Sequence, residues 1–104
     1  MAAPPSLDAF LASIDGGALP ADLPPLLAAL WHERRGDWDA AHRIAQDVED
    51  ADGAWVHAYL HRREGDAGNA AYWYRRAGRS PASGSLDEEW LAIAAALLGA
   101  TGGR

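Results

Sequence analysis

Apolar residues recur every three or four positions along most of this chain, which is the spacing of one face of an α-helix. Glycine, proline and capping residues interrupt this pattern at the points where helices are expected to begin and end. The pattern therefore predicts six helices and no strand. The predicted helices cover residues 6–14, 22–36, 37–48, 54–64, 66–77 and 85–98.

Several predicted helix ends depend on residues with known capping preferences. Ser6 is a suitable N-cap for the first helix, and Asp52 is expected to cap the fourth. Ser85 is followed three residues later by Glu88, which is the pattern of a capping box for the sixth helix. Residues 99–104 are expected to form a frayed tail.

One segment of the chain occurs nearly twice, with a spacing of 29 residues. The two copies share six residues: Ala29, His32, Arg34, Gly36, Asp37 and Ala41 correspond to Ala58, His61, Arg63, Gly65, Asp66 and Ala70. Each copy has one apolar stripe before its Gly-Asp pair and another after it. Units of this kind bury their apolar faces by stacking on each other.

The predicted fold is therefore all-α, with two stacked helix–turn–helix repeats and a capping helix at each end. A chain of 104 residues is expected to form one domain with a single core. Its predicted parts are an N-terminal capping helix with a linker, two hairpins and a C-terminal capping helix, at residues 1–22, 23–50, 53–78 and 85–98.

Composition narrows the class of protein. A hydrophobic content of 49% with five tryptophans is typical of a folded domain, and without cysteine there is neither a disulfide nor a thiolate metal site. The net charge of −6 argues against a nucleic-acid partner, because phosphates require a basic surface. No basic leader or long apolar run is visible. We therefore expect a cytoplasmic protein with no membrane partner.

Two segments resemble tetratricopeptide-type hairpins, LLAALWHERRGDWDAAHRIAQDV and WVHAYLHRREGDAGNAAYWYRRAG. Each has a helix, a Gly-Asp turn and alanines on the second helix, although the 29-residue period is shorter than that family's usual repeat. Residues 27–98 also resemble a group of short bacterial proteins of unknown function. These resemblances imply helical stacking and protein binding, and no reaction.

Histidines are the first candidates for a site. His57 and His61 are four residues apart and share one side of the fourth helix. If the third and fourth helices reverse near Ala51, His42 lies at the height of His61. Counting outward from the turn at Gly36 places His32 at the same height, and counting outward from the turn at Gly65 places Asn69 there. A layer of His32, His42 and His61 would suit zinc, whereas partly buried histidines that only form hydrogen bonds would need no metal.

A second candidate surface lies between His61 and Arg79, where Tyr72, Trp73 and Tyr74 alternate with arginines. Aromatic rings beside guanidinium groups are able to bind anions by stacking and charge. Helical phase places Trp73 and Tyr74 in the packing stripe, while Tyr72 faces outward. The alternative is a solvated arginine face over an aromatic core.

These features support two functional hypotheses. The first is a non-enzymatic module that binds a protein or peptide in a groove along the second and fourth helices, lengthened if the protein forms a homodimer. The second is a small-ligand or metal-binding protein, or an enzyme, that uses the histidine layer. No catalytic residue and no resident cofactor is predicted. The predicted ligand-binding residues are His32, His42, Trp55, His57, His61, Glu64, Asn69 and Tyr72.

Overall fold

The computed structural model describes residues 5–102, and the side chains of residues 5–99. Over this range the chain is entirely helical apart from turns and loops, so the all-α prediction is confirmed. The six helices are α1 (Leu7–Gly16), α2 (Pro25–Arg34), α3 (Trp38–Gln46), α4 (Ala51–Arg63), α5 (Ala67–Ala77) and α6 (Leu86–Gly102).

The two Gly-Asp corners have the same local geometry. Gly36 and Gly65 adopt φ angles of 92° and 88°, which glycine tolerates without strain. The aspartate that follows each glycine caps the next helix: Asp37 accepts from the amide of Ala40, and Asp66 accepts from that of Asn69. The duplicated sequence therefore forms duplicated turns, and these join α2 to α3 and α4 to α5.

The two hairpins stack with α4 at the centre. Helix α3 packs on α2 and on α4, and α5 packs on α4. Every residue from 53 to 61 is buried, so α4 has contacts on all sides. Small residues at the seams, Ala41, Ala45 and Ala70, are at most 4% exposed and allow the helices to approach closely.

Helix α6 packs across α2 and α4 instead of leaving their shared face open. Trp90 is fully buried; its ring stacks on Phe10 of α1, and its indole N–H donates to the carbonyl of Leu30. Ile93 and Ala94 are also fully buried. The apolar face of α6 therefore covers part of α2 and α4, the two helices along which the peptide groove is predicted.

Two predicted boundaries also need correction. Helix α4 begins at Ala51, and its N-cap is Asp50 rather than Asp52; the Asp50 carboxylate accepts from the amide of Gly53. Helix α6 continues to Gly102, past the predicted end at 98. The predicted capping box is confirmed, since Ser85 and Glu88 each accept a hydrogen bond from the other's amide.

Two buried carboxylates connect the helices. Glu33 of α2 accepts from the Tyr59 hydroxyl at 3.1 Å and pairs with Arg63 at 3.3 Å. Glu89 of α6 accepts from Trp55 and Arg62 of α4 and from Tyr74 of α5. None of the helices within residues 5–102 combines the length and hydropathy needed to cross a bilayer.

Candidate metal centre

Three histidine side chains converge where α3 packs on α4. One nitrogen from each of His42, His57 and His61 lies within 4.8 Å of the other two. The centroid of the His42 ring is 4.6 Å from that of His57 and 5.4 Å from that of His61, and the rings of His57 and His61 are 4.9 Å apart. The arrangement brings together imidazoles from two helices and both hairpins.

The sequence places these histidines through helix periodicity and the turn between α3 and α4. His57 and His61 are separated by one turn of α4 and so point the same way. His42 reaches them because α3 runs antiparallel to α4 after the turn. The Trp38 indole N–H fixes this packing by donating to the carbonyl of Leu60 at 2.8 Å.

Two tryptophans form the walls of the cluster. Trp38 stacks on His42 at 4.8 Å between ring centroids and also meets the edge of His61. Trp73 stacks on His57 at 3.8 Å with an interplanar angle of 10°. Stacking on an indole limits the rotation of the His42 and His57 rings and so favours a defined direction for their nitrogens.

The electrostatic environment favours neutral imidazoles. Burial, and then the neighbouring His42 and His61, lowers the pKa of His57 to about 4. Burial and His61 also lower the pKa of His42, although Glu64 and Asp39 oppose this effect. Neutral imidazole is the form that binds metal ions, so protons compete weakly for the nitrogens of His42 and His57 near pH 7.

Glu64 provides an outer partner for the cluster. One of its carboxylate oxygens lies 2.7 Å from Nδ1 of His61. A carboxylate in this position fixes the tautomer that carries the proton on Nδ1 and leaves Nε2 free for a metal. His61, Glu64 and Asp66 also lie close enough to form a second, more exposed group of donors. Asp66 is already engaged there as the N-cap of α5.

The predicted layer contains the wrong third histidine. His32 is not part of the cluster, and its ring meets the edge of Trp31, its neighbour on α2. The prediction compared heights along antiparallel helices, and height does not fix the direction in which a side chain points. His57 replaces His32 because it shares its face of α4 with His61.

Three other predicted site residues do not belong to the cluster of His42, His57 and His61. Trp55 points toward α6, where its indole donates to Glu89, and the Arg79 guanidinium lies 3.4 Å from the centroid of its ring. Asn69 donates from its side chain to Asp66, which is part of the turn. Tyr72 is 43% exposed and accepts from Arg76.

A cavity of about 430 Å³ adjoins the cluster at His57. It lies between the end of α3, the start of α4 and the face of α5. Its lining residues are Ala45, Gln46, Val48, Glu49, Asp50, Ala51, Ala54, His57, Trp73 and Arg76. Its volume is within the range of small-molecule sites. The sequence did not indicate it, because no single helix contains it.

The donor set of the cluster is specific in its chemistry. Imidazole nitrogens suit zinc, copper and nickel, whereas magnesium and calcium require oxygen ligands. Three histidines leave a fourth position of a tetrahedral ion for water or another ligand.

The chain matches no protein-family model, none of the curated proteins and no solved structure.

Proposed function

We propose that this protein binds a divalent transition metal ion, zinc in the first instance, through His42, His57 and His61. The observation that supports the proposal is the convergence of three imidazole nitrogens within 4.8 Å. Nitrogens bound to a tetrahedral zinc ion at about 2.1 Å are about 3.4 Å apart. The side chains would need to close by at most about 1.4 Å, which small rotations of the rings allow.

The surroundings of the histidines support the same function. His57 and His61 are only 5% and 8% exposed, so a bound ion would be shielded from competing water ligands. Glu64 would orient His61 in the way that carboxylates orient zinc-binding histidines. The low pKa of His57 keeps that ligand available in mildly acidic solution. Binding of a protein or peptide stays a prediction.

The experiment is a thermal unfolding titration of tag-free protein with zinc chloride, since a polyhistidine tag would itself bind zinc. Zinc at one hundred times its Kd should stabilise the fold by about 2.7 kcal/mol. For a domain of about 100 residues this raises Tm by about 10 to 20 °C. Magnesium chloride at the same concentration should have no effect.

Two matched variants distinguish the cluster from nonspecific binding. His42→Ala removes the half-buried member of the cluster from the surface of α3 and should abolish the zinc-induced shift. His32→Ala removes a histidine outside the cluster and should leave the shift intact. The proposal is wrong if zinc does not raise Tm, or if the shift depends on His32 and not on His42.

A further inference from the structure

We propose that the cavity beside His57 binds a small carboxylate, and that it does so only when the histidines hold a metal ion. This inference rests on the proposed function, because the ion supplies part of the attraction. The cavity is lined by His57 on one side and by Arg76 of α5 on another. A carboxylate bound there would lie between the guanidinium group of Arg76 and His57, which is also one of the three proposed metal ligands.

Arg76 is held in position without being neutralised. Its Nη1 donates to the Tyr72 hydroxyl at 3.1 Å, and its guanidinium carbon lies 5.2 Å from the centroid of the Trp73 ring. No carboxylate of residues 5–99 lies within ion-pair distance of it. A guanidinium group oriented by two aromatic residues retains donors for an oxyanion, which it binds with favourable planar geometry.

The charge of the cavity lining explains why the metal is required. The lining contains two carboxylates, Glu49 and Asp50, and one guanidinium group, that of Arg76, so these three side chains together carry one net negative charge. A divalent ion on the histidines reverses this to one net positive charge. Because His57 belongs both to the cluster and to the cavity wall, the ion would adjoin the cavity, and the change of sign should convert repulsion of an anion into attraction.

Benzoate and benzamide are suitable probes because they have nearly the same shape and differ in charge. The assay is titration of cobalt-loaded, tag-free protein, followed by visible absorption of the ion. Benzoate should change the absorption spectrum, because its carboxylate enters the coordination sphere, and benzamide should not. In the metal-free protein, calorimetry should detect no binding of benzoate.

Arg76→Gln should weaken benzoate binding at least tenfold, since a charge-assisted contact is lost. Arg75→Gln is the matched control, because Arg75 is the adjacent exposed arginine of α5 and lies outside the cavity lining. This substitution should change the affinity for benzoate less than twofold. Circular dichroism would verify that both variants are folded.

The outcomes separate the two proposals. If cobalt gives no spectrum of a protein-bound ion, both the proposed function and this inference are wrong. If cobalt binds but benzoate and benzamide act alike, the metal centre stands and the carboxylate site is wrong. Equal benzoate affinity in the wild type and in Arg76→Gln would also overturn the carboxylate site.

Discussion

Glu89 offers the most direct test of how this fold is stabilised. Its side chain is 4% exposed and accepts hydrogen bonds from three other residues. The donors are Arg62 Nη1 at 2.9 Å, the Tyr74 hydroxyl at 2.6 Å and Trp55 Nε1 at 3.3 Å. The perturbation is Glu89→Gln, which keeps the size of the side chain and removes its charge.

The magnitude follows from what the substitution leaves behind. Removing one partner of a buried ion pair costs about 3 to 5 kcal/mol, because the other charge is left unpaired. Arg62 is 24% exposed, so it regains part of its hydration and the lower end of that range applies. Burial raises the pKa of the Tyr74 phenol well above its usual range, so its hydroxyl still donates, now to a weaker amide acceptor. We expect a loss of about 3 kcal/mol of unfolding free energy.

The assay is urea denaturation at 25 °C, followed by both tryptophan fluorescence and far-ultraviolet circular dichroism. Asp87→Asn is the matched control, since Asp87 belongs to the same acidic turn of α6 but is 69% exposed and only pairs with Arg34 at 3.3 Å. An exposed pair of this kind contributes at most about 1 kcal/mol. The reasoning is refuted if Glu89→Gln and Asp87→Asn destabilise the protein by amounts within 1 kcal/mol of each other.

Two further predictions concern glycine and pH. Gly53→Ala should cost about 2 kcal/mol or more in urea denaturation, because its new Cβ would collide with the carbonyl oxygen of Val48. At Gly68 a new Cβ would make only an ordinary contact of 3.9 Å with the Asp66 carboxylate, so Gly68→Ala should stabilise α5 by about 0.5 to 1 kcal/mol. Equal effects of the two substitutions would contradict this. His57 has a lower pKa folded than unfolded, so metal-free protein should lose stability as pH falls from 6.5 to 4, by at most about 3 kcal/mol. A profile in His57→Gln as steep as in the wild type would show that another group is responsible.

The helices were predictable because local signals agreed with each other. Both Gly-Asp pairs combine a residue that tolerates positive φ with one that caps a helix, so two independent preferences mark the same boundary. The start of α4 was harder, since Asp50 and Asp52 are both able to cap a helix. Asp50 is the N-cap because its carboxylate reaches the amide of Gly53. Gly53 has no Cβ, which allows the carbonyl of Val48 to approach its backbone closely.

The buried acids were missed although the sequence contains a signal for them. Glu89 stands with Asp87 and Glu88 in the acidic first turn of α6, where a negative charge is favourable at a helix N-terminus even without a partner. It is nevertheless four residues before Ile93, so it continues the apolar stripe of α6. Glu33 similarly follows Ala29 by four residues on α2. A charge in line with a buried stripe indicates a partner from another helix, and the sequence alone does not identify that partner.

The histidine site shows what a repeat predicts and what it does not. His32 and His61 occupy equivalent positions in the two copies, and the repeat therefore suggested equivalent roles. The residue three positions later differs, being Arg35 in the first copy and Glu64 in the second. Glu64 contacts His61, whereas Arg35 donates to the carbonyl of Ile14 on α1. The two equivalent histidines therefore differ in their surroundings, because the residue three positions later is an acid in one copy and a base in the other.

The remaining members of the cluster lie where the two copies differ. His57 corresponds to Ala28 of the first copy, and His42 corresponds to Ala71 of the second. Each histidine is therefore present on only one hairpin, and both face the boundary between α3 and α4. Since α4 is enclosed by α3 and α5, a side chain on this face is buried in a way that the same position on α2 is not. A metal ion bound there would link the first hairpin to the second. The affinity of the protein for the metal would therefore depend on how stably α3 packs on α4.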